Sequence, residues 1–279
     1  MTNIKTRNLL KQVTYKTVQE LFSSYFILKP NHILLDNLTQ LFPDFSDSAI
    51  NIRDFYNQAI LKYYPNETTI KAAFLNDVLF KTKKDITIFE LPVGGSRVDL
   101  CKINGTSIAY EIKTDLDTLR RLNKQISDYN KVFEQVYLIC SIERLSEVLS
   151  IIPDSCGIYI YTISPRNNYR FEKYREASEN SIFDSKQQLE LFTAQELFDK
   201  YPDFSNSCKS ETINNIMSNV NQFDINVAFK RMLKDRFASQ WRFLKSNRDD
   251  IFEIDYQWFY QNRIDPNIVY GSSIQSIHS

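Results

Sequence analysis

The chain is poor in the residues that build thiol, zinc or serine-hydrolase chemistry. Its four cysteines, Cys101, Cys140, Cys156 and Cys208, stand far apart with no CxxC or CxxxxC pair. That spacing excludes a zinc knuckle or redox motif and favours reduced, mostly buried thiols. Two histidines in 279 residues leave little material for a Ser-His-Asp triad or a His-rich metal site. Five glycines and eight prolines exclude collagen-like and linker sequences. No apolar run approaches the roughly 20 residues a bilayer span needs. Met1 to Lys16 mixes charged and polar residues without a signal-type apolar stretch, so a cytoplasmic protein with no membrane partner is expected. Net charge is also absent: 34 Lys and Arg balance 34 Asp and Glu. Attraction for a polyanion therefore has to come from local patches. What the chain has in surplus is aromatic, with 16 Tyr and 20 Phe in a composition that is 43% hydrophobic, enough for a sizeable core.

Periodicity changes along the chain. Leu9 to Ile27 and Asp47 to Tyr63 carry apolar residues at three- and four-residue steps and read as helices. Asn66 is placed to cap a further helix whose apolar stripe is Ile70, Phe74 and Val78. Three β-rich runs follow, Asp85 to Leu91, Arg97 to Ile103 and Thr106 to Lys113, the last two joined by Asn104-Gly105, a strong hairpin signal. Asp115 to Phe133 then reads as the clearest helix, with Leu119, Leu122, Ile126, Tyr129 and Phe133 on one face. A strand at Val136 to Cys140, a helix at Ile142 to Ile151 and a strand at Gly157 to Ile163 complete an α/β core. Arg166 to Asn180 reads as a loop, Thr193 to Tyr201 as a short helix, and Ser210 to Asn262 as two or more helices. The expected division is an N-terminal helical segment (1–65), the α/β core (66–165), a connection of loop and short helix (166–209) and a C-terminal helical region (210–279).

The chemistry concentrates in the core. On a strand, alternate residues share a face, so Glu111 and Lys113 point one way while Tyr110 and Ile112 point the other. Asp99 on the neighbouring strand offers a second carboxylate, and two carboxylates with a backbone carbonyl suit Mg²⁺, a hard cation that prefers oxygen. A plain solvated strand face with a cross-strand ion pair is the alternative. The metal site also makes a demand on the hairpin. An undisturbed two-residue turn would set Asp99 opposite Tyr110 and send Asp99 and Glu111 to opposite faces. A three-residue loop ending in a left-handed Gly105, or a bulge, restores the parity. Glu90 reads as an edge or solvent residue, with a further metal-site acid as the alternative.

Asp99, eleven intervening residues and then Glu111-Ile112-Lys113 resemble the PD-(D/E)XK phosphodiesterase superfamily. The likeness covers about residues 66 to 163, and Val98 stands where the family name has proline. It implies a restriction-endonuclease-like core, a central mixed sheet flanked by helices, with helical regions on either side. It also implies a nuclease centre in which Asp99, Glu111 and the Ile112 carbonyl hold Mg²⁺ or Mn²⁺ and Lys113 is the catalytic lysine. Glu67, a helix-borne acid before the strands, and Gln125, on the helix after them, match its accessory positions. The function expected from the likeness is hydrolysis of phosphodiester bonds in nucleic acid, DNA first, in defence against foreign DNA or in repair. A nonenzymatic module on the same fold, binding nucleic acid or a protein, is the rival. Oligomeric state and partner subunits are left open.

Residues 229 to 248 are cation-rich. Phe229, Leu233, Phe237, Trp241 and Leu244 form an inward stripe that leaves Lys230, Lys234, Arg242 and Lys245 outside, as a phosphate-tracking face or a plain solvated one. Arg166, Arg170, Lys173 and Arg175, interleaved with Tyr169, Phe171 and Tyr174, have the character of a single-strand contact, against the alternative of an ordinary loop.

Overall fold

Short polar side chains set where the helices Tyr15–Ser24, Ile52–Tyr63 and Glu67–Phe74 begin. The computed structural model describes residues 4–43, 50–82, 84–164 and 168–271. It opens with helices α1 (Ile4–Leu10), α2 (Tyr15–Ser24), α3 (Asn31–Leu41), α4 (Ile52–Tyr63) and α5 (Glu67–Phe74). Thr14, Asn51 and Asn66 cap α2, α4 and α5 by accepting the backbone N–H three residues on. The expected helix start at residues 47–49 lies outside the described residues. Next come β1 (Ile86–Val93), β2 (Ser96–Asn104), β3 (Thr106–Lys113), α6 (Leu122–Asn130), β4 (Gln135–Ser141), α7 (Leu145–Leu149), β5 (Gly157–Ile163) and β6 (Tyr169–Arg175). The chain continues through α8 (Ser185–Glu190), α9 (Ala194–Lys200), α10 (Lys209–Asn219), α11 (Gln222–Asn247), α12 (Tyr256–Asn262) and α13 (Pro266–Gly271). Among the described residues no helix is long and apolar enough to cross a membrane.

The chain forms two compact units. The first comprises Met1–Asp77, Ile163–Arg170 and Arg242–Ser279. Its N-terminal helices enclose a core of Val18, Leu21, Leu34, Leu38, Phe55, Tyr56, Ala59 and Ile60. A buried polar network ties the last segment of the unit to these helices. Arg53 donates to Asn31 Oδ1 at 3.0 Å and to the Lys29 carbonyl at 2.7 Å, and its guanidinium lies 5.6 Å from the Tyr270 ring centre. Tyr25 and Tyr270 both donate to Asp255 Oδ2 at 2.8 Å.

The second unit, Val78–Thr162 and Phe171–Trp241, is α/β. Its six-stranded mixed sheet runs in the order β1-β2-β3-β4-β5-β6, antiparallel through β1, β2 and β3, and parallel through β3, β4 and β5. Helices α6 and α7 provide the crossovers that parallel neighbours require. On one face Tyr110, Tyr137 and Tyr159 form a row of rings with centres 5.3–5.7 Å apart between neighbours. Gly157 is needed beside them, since a Cβ there would stand 2.3 Å from the Tyr137 ring.

Three expectations need correction. The helix expected over Asp115 to Phe133 is confined to Leu122–Asn130. Before it, Asp117 Oδ2 captures the Thr114 N–H and hydroxyl, while Arg144 takes the Thr114 and Asp117 carbonyls that a helix would use. Residues 169–175, expected as loop, form β6; this outer strand buries too little to show apolar alternation in sequence. Arg166 lies outside the described residues. The third correction concerns Lys230, expected to face outward from α11. It donates 2.6 Å to Glu134 Oε1, and that carboxylate also accepts from Asn226, from the Ser107 N–H at 2.5 Å and from the Ser107 hydroxyl. The inward stripe of α11 holds, with Phe229, Leu233, Trp241 and Leu244 buried.

Two predictions follow from these networks. Burial pushes the Asp255 carboxyl from 3.8 up to about 6, with the Tyr25 and Tyr270 hydroxyls and Arg53 pulling it partly back. The folded state therefore holds this proton more tightly than the unfolded chain does. The stability it contributes is complete below the unfolded value of 3.8 and is lost as pH rises through about 6. The stability of the parent relative to Asp255→Asn should rise on the order of 3 kcal/mol as the pH is lowered from 7 to about 4. Melting curves of both proteins across that range check it, and a constant difference contradicts it. Lys230→Gln leaves Glu134 short of its cation and should cost on the order of 3 kcal/mol in denaturant titrations; an unchanged midpoint would refute the pairing.

Candidate metal centre

Gly105 sets the register on which the site depends. Its φ of +70° lets Asn104 pair with Thr106 across a single residue, so Ile103 faces Ser107 and Leu100 faces Tyr110. Gly105 thus occupies the middle of the turn rather than its end. The parity is the one the metal site demands, and it carries Asp99 opposite Glu111. The flanking pairs Phe89–Leu100 and Leu91–Val98 likewise place Glu90 opposite Asp99. Three carboxylate residues consequently lie at one level across β1, β2 and β3.

Each is held differently. Asp99, buried, accepts the Ile112 N–H on Oδ2 at 2.6 Å, a side-chain bond at the point where the regular β2–β3 pairing stops. Glu111 is 1% exposed. Its Oε1 accepts from Lys113 Nζ at 2.5 Å and from Gln125 Nε2 at 2.5 Å, and its Oε2 lies 2.7 Å from the Tyr129 hydroxyl. The same hydroxyl is 2.7 Å from the Arg97 carbonyl, so one proton serves two acceptors. Burial, and next the negative charge of Glu111, raise the Tyr129 phenol far above its ordinary value, which keeps it protonated as a donor.

Glu90 is mostly buried rather than solvent-facing and forms an ion pair with the Arg97 Nε. Its φ of +55° is rare for a residue with a side chain and costs on the order of 1–3 kcal/mol. Carboxylate oxygens of Glu90 and Asp99 lie within 4.8 Å of one another. This all-oxygen pair has the hardness that Mg²⁺ or Mn²⁺ selects.

Asp99, Glu111, Lys113 and Gln125 are therefore brought together. Glu67 belongs to the first unit, at the start of α5, where Lys71 donates to it at 2.9 Å. Ile112 is tied to the site through its N–H. Lys230 is consumed by Glu134, while Lys234 is half-buried on α11. Arg242 is exposed and Lys245 half-buried, both on the part of α11 that belongs to the first unit. Lys173 sits against the Tyr137 and Tyr159 rings and pairs with Glu176, and Arg175 bonds the Cys156 and Pro153 carbonyls. A groove of about 1020 Å³ lined by Ile126, Ile151, Ile182 and Met217 shares α6 with the site but receives none of its carboxylates.

Sequence reasoning missed Tyr129, which the apolar stripe of α6 absorbed as an ordinary core residue. A signal was available: Tyr129 stands four residues after Gln125, so both face the same side of the helix.

Residues 62–256 match the family described as bacteriophage P4 protein cII, and the chain belongs to that family. Protein cII of Enterobacteria phage P4 is 34% identical over 76 residues, spanning 27% of this chain and 28% of that relative. Among solved structures, a protein of unknown function from Silicibacter pomeroyi, SPO1766, aligns with 44% of this chain and 84% of its own length. Its identity is 17% and its TM-score 0.29. All the site residues lie inside the family match.

Tyr129→Phe removes the donor shared by Glu111 and Arg97. It should destabilise the protein by about 1–3 kcal/mol, measured by denaturant unfolding. A loss below a few tenths would show that the hydroxyl bonds count for nothing.

Proposed function

We propose that this protein is a metal-dependent nuclease with a PD-(D/E)XK-type centre on a restriction-endonuclease-like core, hydrolysing phosphodiester bonds, in DNA first. One observation carries the reading: the Gly105 register sets Asp99 opposite Glu111 while Lys113 bonds the Glu111 carboxylate. Asp99 and Glu111, with the Ile112 carbonyl and Glu90 at hand, would hold Mg²⁺ or Mn²⁺. A divalent cation supplies polarisation of a phosphoryl oxygen and a bound water acidic enough to attack.

The chain's own groups do the rest. Gln125 and Tyr129 lock the Glu111 carboxylate in one orientation, which is what a preorganised site requires. Lys113 has its ammonium at that carboxylate, placed to orient a water or to stabilise charge building on phosphate. The Arg97 side chain pairs with Glu90, so this third acid is not left uncompensated beside Asp99.

The rival, a nonenzymatic module, has an observation in its favour. Every donor at Glu111 and the Ile112 N–H at Asp99 already satisfy these carboxylates, as a purely structural network would. Metal response separates the two readings. In the nuclease, Lys113→Ala should abolish cleavage of plasmid DNA yet still bind Mn²⁺, whereas Asp99→Ala should lose both. Cleavage assays with Mg²⁺, Mn²⁺ or EDTA and calorimetric titration with Mn²⁺ read the outcome. Undiminished cutting by pure Lys113→Ala, or no Mn²⁺ binding by the parent, removes the assignment.

A further inference from the structure

The chain between Lys113 and Gln125 is a closed loop, because both side chains donate to the same oxygen, Glu111 Oε1. Its first turn, Thr114 to Asp117, is held by hydrogen bonds. Asp117 Oδ2 accepts from Thr114, Asp115 Oδ1 accepts from the Ser141 hydroxyl at 2.7 Å, and Arg144 clamps the Thr114 and Asp117 carbonyls at 2.6 and 2.7 Å. Leu119 and Leu122 are buried beneath it. Both acids have partners within the protein, Asp117 at Thr114 and the still exposed Asp115 at Ser141, and these bonds shape the loop before any ligand arrives.

This frame displays Arg120 and Arg121, both exposed. Among the described residues neither forms an ion pair, whereas Arg97, Lys102, Lys113 and Lys124 each sit on a carboxylate. Nor does helix stability account for them. They precede the first turn of α6, where cations oppose the macrodipole, and Arg121 makes no side-chain capping bond. Yet the Gln125 N–H donates to the Arg121 carbonyl at 3.0 Å, so this pair of charges stands one helical turn from the residue that touches Glu111.

We propose that Arg120 and Arg121 bind the sugar–phosphate backbone of duplex DNA beside the carboxylate centre. The proposal rests on the nuclease reading of that centre for the choice of polyanion. Guanidinium presents a planar fork that matches two phosphate oxygens, and such contacts fix register without reading sequence. Residues 114–124 contain no aromatic side chain on which an unpaired base could stack, which favours a duplex over a single strand.

The test uses the full chain, a labelled duplex of about twenty base pairs, and Ca²⁺ in place of Mn²⁺, with anisotropy read from roughly 50 to 200 mM salt. R120Q/R121Q should bind about tenfold more weakly, and its slope of log affinity against log salt should shrink by up to about 1.8, roughly 0.9 for each lost phosphate contact. R120K/R121K should keep most of that slope. A parent that does not bind the duplex, or an R120Q/R121Q protein matching it in affinity and slope, overturns the proposal. Cleavage with Mn²⁺ is scored separately. A parent that binds through these arginines but never cuts DNA overturns the nuclease reading and upholds the arginine contact. A parent that cuts, alongside an R120Q/R121Q variant that binds and cuts equally well, overturns the arginine contact alone.

Discussion

A buried carboxylate has to be neutralised from within the protein, and at Glu111 that requirement organises the sheet unit. Leaving one such charge without partners costs several kcal/mol, a large share of the margin by which a domain is stable. Lys113 from the same strand and Gln125 and Tyr129 from α6 converge on it. Those bonds seat α6 against β3, and they close the 114–124 loop at both ends. A change at Glu111 would therefore disturb structure and chemistry together.

The carboxylates beside it are held at a local cost to regular structure. Asp99 takes the Ile112 N–H, and Glu90 adopts a left-handed backbone within β1. Strain of this kind persists only where surrounding contacts over-determine it. Here the β1–β2 pairs on either side and the Arg97 ion pair do so. Oriented, partly strained acids on rigid strands are what a cation-binding centre needs, since strands hold side chains to tighter tolerances than loops do.

Cations divide into those consumed by the fold and those displayed. Lys230 reaches Glu134 and the Gly105 carbonyl, joining α11 to the very turn that sets the β2–β3 register. Arg53 in the first unit is likewise spent, on Tyr25, Asn31 and Lys29. Among the described residues Arg120 and Arg121 are paired with no carboxylate. With a net charge of zero, the electrostatic character of each surface rests on this division rather than on composition.

Local patterns in the sequence determined much of this protein. Alternation marked β3 as Thr106–Lys113, Asn66 marked the start of α5, and the spacing of Asp99, Glu111 and Lys113 singled out an acid and a lysine that bond and an aspartate that the register sets opposite that acid. These signals are short-range, set by the two-residue period of a strand and the capping of a helix end. Tertiary structure alone decided the rest. The helix expected from Asp115 stops short because Arg144, some thirty residues away, takes the carbonyls it would have used. Residues 169–175 become a strand because β5 offers a sheet edge, and Lys230 turns inward because Glu134, far away in sequence, is buried beside it. Whether Asp99 and Glu111 share a face hung on one backbone angle at Gly105, which sequence confined to two alternatives and only the folded register resolved. For Arg144 and Glu134 the deciding partner lies outside the window in which periodicity is visible, so its effect appears only once the chain has folded.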